Sequence, residues 1–233
     1  MTDYALSEEE ISQERTPSEL LSWVELKFEE LGSSESGVGD LRLGVGLAKP
    51  LAEEVYPLAI FALKKYGEAN YIKISPVIGS QNYDAVVTDN SHFPASVSYI
   101  EVTQAHEGEE RHLRDMYLNE HGFVPAHGPV TKKGTKKKGM SISAEFKAES
   151  VPEMARRELD KVLDAVRRKE GKDYPPDTSL LVWFDDGYLF REVVSDMEID
   201  GFVHDNIVSL DIHFSALYLV GKHREVFKQY DLC

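Results

Sequence analysis

Cysteine is almost absent from this chain, with Cys233 alone among 233 residues. Neither an intrachain disulfide nor a cysteine-based zinc cluster can form from one thiol. Such sparing use suits a reducing compartment, and a cytoplasmic location is the expectation. Long apolar runs are missing too. Leu58–Leu63 falls far short of the roughly 20 residues that a membrane-spanning helix needs, so no membrane partner is expected. The stretch Met1–Glu10 is acidic and lacks the basic start and apolar middle of a secretory leader. No phosphate-binding loop of the Gly-x-x-x-x-Gly-Lys-Ser/Thr kind occurs, since Gly37–Gly46 has no lysine, which argues against ATP hydrolysis. Positive charge is scarce: 26 Lys and Arg face 41 Asp and Glu, for a formal net charge of −15. A phosphate-binding protein draws its affinity from cations, so this total weighs against nucleic acid. The distribution weighs the other way. Residues 1–40 hold eleven acids and two bases, whereas residues 105–172 hold fifteen bases and twelve acids.

Periodicity divides the rest. Thr16-Pro-Ser-Glu19 has the hydroxyl cap, early proline and first-turn acid of a helix start. Leu20, Trp23, Val24, Phe28 and Leu31 then recur at helical spacing. Residues 33–39 predict a flexible connection, and residues 50–67 a helix begun or kinked at Pro57. Three β-rich runs follow, at 71–75, 83–89 and 95–104. A helical stretch at 107–119 and a lysine-rich hairpin around 130–147 form an insertion. A capped helix over 150–169 and a buried strand at 179–184 come next, then a strand over 209–220 and a short helix from about His223. Trp183 and Phe184 are expected in the core, and Asp185-Asp186 in a turn. The acidic extension with its amphipathic helix spans 1–48, and the core spans 49–233 with its insertion at about 107–148.

Two carboxylates meet on this pattern. An antiparallel hairpin of 83–89 and 95–104 with an index sum of 185 centres its turn inside the loop 90–94, and that register puts Asp84 opposite Glu101. Directly opposed residues share a sheet face with Cβ atoms about 4.5–5.5 Å apart. Ionised carboxylates that close raise each other's pKa unless a cation compensates.

The order helix, three strands, helix, strand, with Asp84 opening the second strand and Glu101-Val-Thr103 in the third, resembles the restriction-endonuclease-like, or PD-(D/E)xK, nuclease superfamily. The resemblance covers about residues 50–187. It implies an α/β (α+β) fold with a mixed sheet: an α-β-β-β-α-β core, here with an N-terminal helical extension and a β-hairpin insertion. It also implies metal-dependent hydrolysis of DNA or RNA phosphodiesters, with Asp84 and Glu101 holding Mg or Mn. Thr103 stands where the superfamily usually has lysine and, with Gln104, would position water or the scissile phosphate. Lys73 and Lys161 are candidates for a migrated lysine, and Glu53 or Glu54 for an extra carboxylate. The alternative is a catalytically inactive nuclease fold that binds nucleic acid or protein.

Lys132, Lys133, Lys136, Lys137 and Lys138 could grip phosphates without reading bases. DNA is expected ahead of RNA as partner, with a protein partner for the acidic N-terminal helix and a homodimer as further options. His106 and His112 follow the Glu101 strand, where a histidine could transfer protons, whereas His204 and His213 are expected to be ordinary surface and strand histidines.

Overall fold

β-branched and apolar runs build the central sheet of the computed structural model, which describes residues 6–106, 108–125, 128–135, 139–187 and 190–232. Its strands are β1 (Ile72–Pro76), β2 (Ala85–Asp89), β3 (Ser96–Gln104), β6 (Thr178–Phe184), β7 (Ala216–Gly221) and β8 (Phe227–Asp231). Among the described residues they pair in the order β1-β2-β3-β6-β7-β8. The β3–β6 and β6–β7 pairs are parallel, and the others antiparallel. β6 and β7 are buried at every residue, as strands covered on both faces must be. The remaining strands, β4 (Val130–Thr135) and β5 (Gly139–Ala144), form a separate hairpin between β3 and β6 in sequence.

Helices cover both faces. In chain order they are α1 (Glu8–Ile11), α2 (Pro17–Gly32), α3 (Glu35–Leu43), α4 (Ala48–Pro50), a π-helical turn at Leu51–Val55, α5 (Tyr56–Tyr66), α6 (Gly108–His121), α7 (Val151–Arg167), α8 (Phe190–Val193) and α9 (Asp196–Asn206). One core joins Leu20, Val24 and Leu31 of α2 and Leu58 and Phe61 of α5 to Ile74, Val87, Ile100 and Trp183. The other joins Val162 and Val166 of α7 and Ile199 and Val203 of α9 to Leu180, Val182 and Leu219. The apolar stripe of α2 is thus spent inside the chain's own core. No helix among the described residues is long and apolar enough to cross a membrane.

Three expectations are corrected. Residues 35–43 form helix α3 instead of a flexible connection: Ser34 Oγ caps the Gly37 N–H at 3.0 Å, and Gly37 lies so close to the Leu31 carbonyl that any Cβ would overlap it. The chain end is strand β8, not a helix, because pairing with β7 satisfies its backbone. Only residues from Ala216 onward join β7, leaving 209–215 outside the sheet. Helix α9, for which the pattern predicts nothing, is announced by Ser195-Asp-Met-Glu198, a capping box in which the Ser195 N–H donates to Glu198 at 2.7 Å.

The loop after β6 is held by one carboxylate. Asp186 is 1 % exposed and accepts N–H bonds from His223, Glu225 and Val226 at 2.6, 2.9 and 2.9 Å. It fixes the turn between β7 and β8, and Gly221 is required because a Cβ there would overlap the Asp186 carboxylate. Asp186→Ala leaves three donors unanswered, two of them beside or within the core. It is expected to cost about 3 kcal/mol or more in a denaturant titration, with Gly221→Ala shifting stability in the same direction.

Candidate active site

The β2–β3 register is the one derived from the sequence: Ala85 faces Ile100 and Val86 faces Tyr99, an index sum of 185. One residue before β2, Asp84 leaves the regular ladder but stays close enough to Glu101 for their charges to interact. The Asp84 N–H donates to the Ile100 carbonyl at 2.8 Å, and the Val102 N–H donates to Asp84 Oδ2 at 2.7 Å. Among the described residues, Oδ1 of Asp84 has no hydrogen-bond partner. Glu101 is 9 % exposed and faces the α7 side, in register with Leu180 of β6.

The missing positive charge is supplied from outside the strand. Lys169, two residues beyond α7, extends its ammonium to Glu101 Oε1 at 2.5 Å. The other candidates lie elsewhere: Lys161 pairs with Glu158 at 2.8 Å, and Lys73 acts electrostatically on Glu19. Nothing in the sequence singles Lys169 out from Arg167, Arg168 and Lys172, because its placement depends on where α7 ends. Beside it, Arg168 donates to the Gln104 carbonyl at 2.8 Å, which ties the end of α7 to the end of β3.

Glu54 belongs to the same field. Its carboxyl is raised above the ordinary range, first by burial, then by Glu53 and Glu101. It is carried by the π-helical turn, a feature frequent at functional sites. Here the turn has a local cause. Pro57 has no N–H, so the Glu53 carbonyl, its normal acceptor four residues back, is orphaned. The Gln104 side-chain amide takes that carbonyl at 2.6 Å, and the Tyr56 N–H reaches back five residues to Leu51. Gln104 is therefore committed to backbone on the face opposite Glu101. Thr103 is buried and shares the Glu101 face.

Asp84 feels the assembly most strongly. Burial, then the charges of Glu101 and Glu54, push its carboxyl up to about 7, with the Val102 N–H and Lys169 pulling the other way. Tyr174 completes the cluster. Its phenol is raised by burial and by the charges of Glu101 and Asp84, its ring stacks on Phe214 at 4.3 Å, and its buried hydroxyl has no hydrogen-bond partner among the described residues. Neither Lys169 nor Tyr174 is a sequence-predicted site residue.

The donor set fits a hard divalent cation. Lys169 acts on all three carboxylates and Lys49 also on Glu54, while among the described residues Asp84 and Glu101 each keep an oxygen without a hydrogen-bond partner and the Tyr174 hydroxyl has none. Mg²⁺ typically takes one or two carboxylates and keeps several waters. No group of three His, Cys, Asp or Glu side chains among the described residues is set to hold a metal, so Glu54 stands outside the immediate pair.

The other predicted residues are spread more widely. Lys132 pairs with Glu109, and Lys133 is exposed on β4. Lys136, Lys137 and Lys138 lie outside the described residues. His112, His204 and His213 are exposed. His106 turns to a separate cavity. Comparison of the chain with protein-family models, curated proteins and solved structures returned no match.

Proposed function

We propose that the chain is a metal-dependent phosphodiesterase acting on nucleic acid, on a core of the restriction-endonuclease-like kind. The observation that carries this reading is the cluster Asp84, Glu101 and Lys169 on one side of the β2–β3 pair. The element order from α5 through β1, β2, β3 and α7 to β6, with antiparallel, antiparallel and parallel pairings, supports it.

Asp84 and Glu101 would hold Mg²⁺ or Mn²⁺ through the oxygens they keep open. The ion's contribution when bound is Lewis-acid stabilisation of phosphoryl charge. Lys169 has two tasks in this scheme. It holds Glu101 in place through their ion pair, and its ammonium offsets negative charge developing on the phosphoryl oxygens. Tyr174, near enough to feel the charges of Glu101 and Asp84, offers a hydroxyl donor suited to a phosphate oxygen or an attacking water. Thr103 adds bulk and a hydroxyl beside Glu101 without charge.

The experiment is a cleavage assay of the full chain on single- and double-stranded DNA and RNA, with Mg²⁺, Mn²⁺ or EDTA, alongside calorimetric metal titration. Cleavage that requires metal is the expected result. Absence of both cleavage and metal binding would sink the proposal, and metal-independent nucleic-acid binding without cleavage would favour a binding module.

A further inference from the structure

Three parallel strands end side by side in this sheet, and a second site lies beyond them. Ala105 and His106 follow β3, Asp185 and Gly187 follow β6, and Lys222 and His223 follow β7; together with α6 and the first turns of α7 they line a cavity of about 1060 Å³. The crevice beyond the carboxyl ends of parallel strands is where open α/β sheets hold ligands. None of Asp84, Glu101, Glu54, Lys169 and Tyr174 lines it. His106 stands five residues along the chain from Glu101, a separation of roughly 16 Å if fully extended.

The charges in this cavity are unevenly matched. Six Lys and Arg line it against four Asp and Glu, although Arg111 also pairs with Asp115 outside the lining at 3.1 Å and Lys147 with Glu149 at 3.3 Å. Each acid is already engaged: Glu110 with Arg114 at 2.9 Å, Glu158 with Lys161 at 2.8 Å, Asp185 with His223 at 3.4 Å, and Glu149 with Arg157. The Lys222 ammonium has no carboxylate partner among the described residues, although the residue is largely buried. Its pKa is lowered first by burial and then by the like charge of Arg111, with the nearby charges of Asp185 and Glu158 pulling the other way. The Nδ1 atom of His106 is buried with no hydrogen-bond partner among the described residues. Burial, Arg111 and Lys222 push this imidazole down to about 4, so at neutral pH it is an uncharged hydrogen-bonding group between two cations. A largely buried lysine, an arginine held by Asp115 and an imidazole nitrogen without a partner among the described residues, around open space, suit an anion. Beside them, Val151, Met154 and Phe190 give the cavity an apolar wall. Asp186 holds the Lys222 turn rigid through its three backbone bonds.

We propose that this cavity is a second ligand site, for a small phosphorylated organic molecule of nucleotide size. Its phosphate lies among Lys222, Arg111 and His106, and its body rests on Met154 and Phe190. Several converging donors suit a multiply charged phosphate better than a single carboxylate. The volume exceeds what phosphate alone would fill, and it lies at the upper end of ordinary small-molecule pockets.

Calorimetry on the full chain without metal tests this independently of cleavage, with AMP, adenosine and inorganic phosphate as probes. AMP is expected to bind at least about tenfold more tightly than adenosine, and Lys222→Met to lose about tenfold for AMP with adenosine unchanged. Arg111→Met, on the exposed side of α6, repeats the test without disturbing the buried lysine. A 5′-phosphorylated hexanucleotide that binds more tightly than AMP would identify a strand end as the phosphate's source, and the reverse order a free nucleotide. Equal binding of AMP and adenosine, or AMP affinity unchanged in both variants, would overturn the site.

Discussion

Replacing Lys169 by methionine is expected to lower metal-dependent cleavage by roughly 10²- to 10³-fold, the usual effect of removing one preorganised donor from a developing oxyanion. The variant should still fold, because Lys169 lies beyond the last turn of α7 and the helix is anchored by Val162 and Val166. The metal readout separates catalysis from scaffolding. In the wild type the ammonium holds Glu101 Oε1 and offsets the combined charge of Glu54, Asp84 and Glu101. Without it Asp84 and Glu101 lose their competing cation, so Mg²⁺ affinity measured by calorimetry should stay level or rise while the rate falls. A fall in rate and metal affinity together, with a lower melting temperature, would make Lys169 a structural brace. An unchanged rate would remove it from the chemistry.

The carboxylate pair was legible in the sequence because hairpin register is a constraint on index sums, and turn residues at 90–94 leave little freedom for the centre. The β-rich runs 71–75, 83–89, 95–104 and 179–184 were readable for the same reason: period and composition are local properties. Lys169 was not. Which of several basic residues reaches Glu101 depends on the length of α7 and its tilt across the sheet, and both are tertiary. Tyr174 was hidden likewise, in a proline-containing loop without periodicity. The two ends of the chain failed differently. Ser34 and Gly37 look like linker residues, yet one is a cap and the other a close packing contact. At the other end, the alternation of Phe227–Asp231 is weak, and pairing with β7 decides its state. The cavity beyond β3, β6 and β7 needs three strand ends brought together from 105, 185 and 222, a coincidence no local pattern encodes.

Asp84→Asn is expected to abolish cleavage and, at alkaline pH, to make the protein more stable than the wild type. The native Asp84 carboxyl titrates at about 7, with burial the first cause and the charges of Glu101 and Glu54 the next, whereas an unfolded aspartate titrates near 3.9. Between those values the native chain keeps a proton that the unfolded chain has released. Stability therefore falls as pH rises through that window, by a total on the order of 4 kcal/mol from this group. It is fully present below the unfolded value and lost above the native one. Other groups titrate over the same range, His106 in the opposite sense, so the informative quantity is the difference between variant and wild type. Asparagine keeps an acceptor for the Val102 N–H and carries no charge, so that difference should be near zero at pH 4 and grow to its full value by pH 8. Metal reverses the comparison. A divalent ion needs the ionised carboxylate, so at pH 8 Mg²⁺ should raise the wild-type melting temperature. The stabilisation is about 2.7 kcal/mol at a concentration one hundred times the dissociation constant, and the variant should not respond. At pH 6 metal binding should also release a proton, read from the dependence of the calorimetric heat on buffer. Parallel stability profiles for the two proteins from pH 4 to 8 would show that Asp84 is ionised throughout. The strain of three carboxylates around one lysine would then not be what the cation relieves.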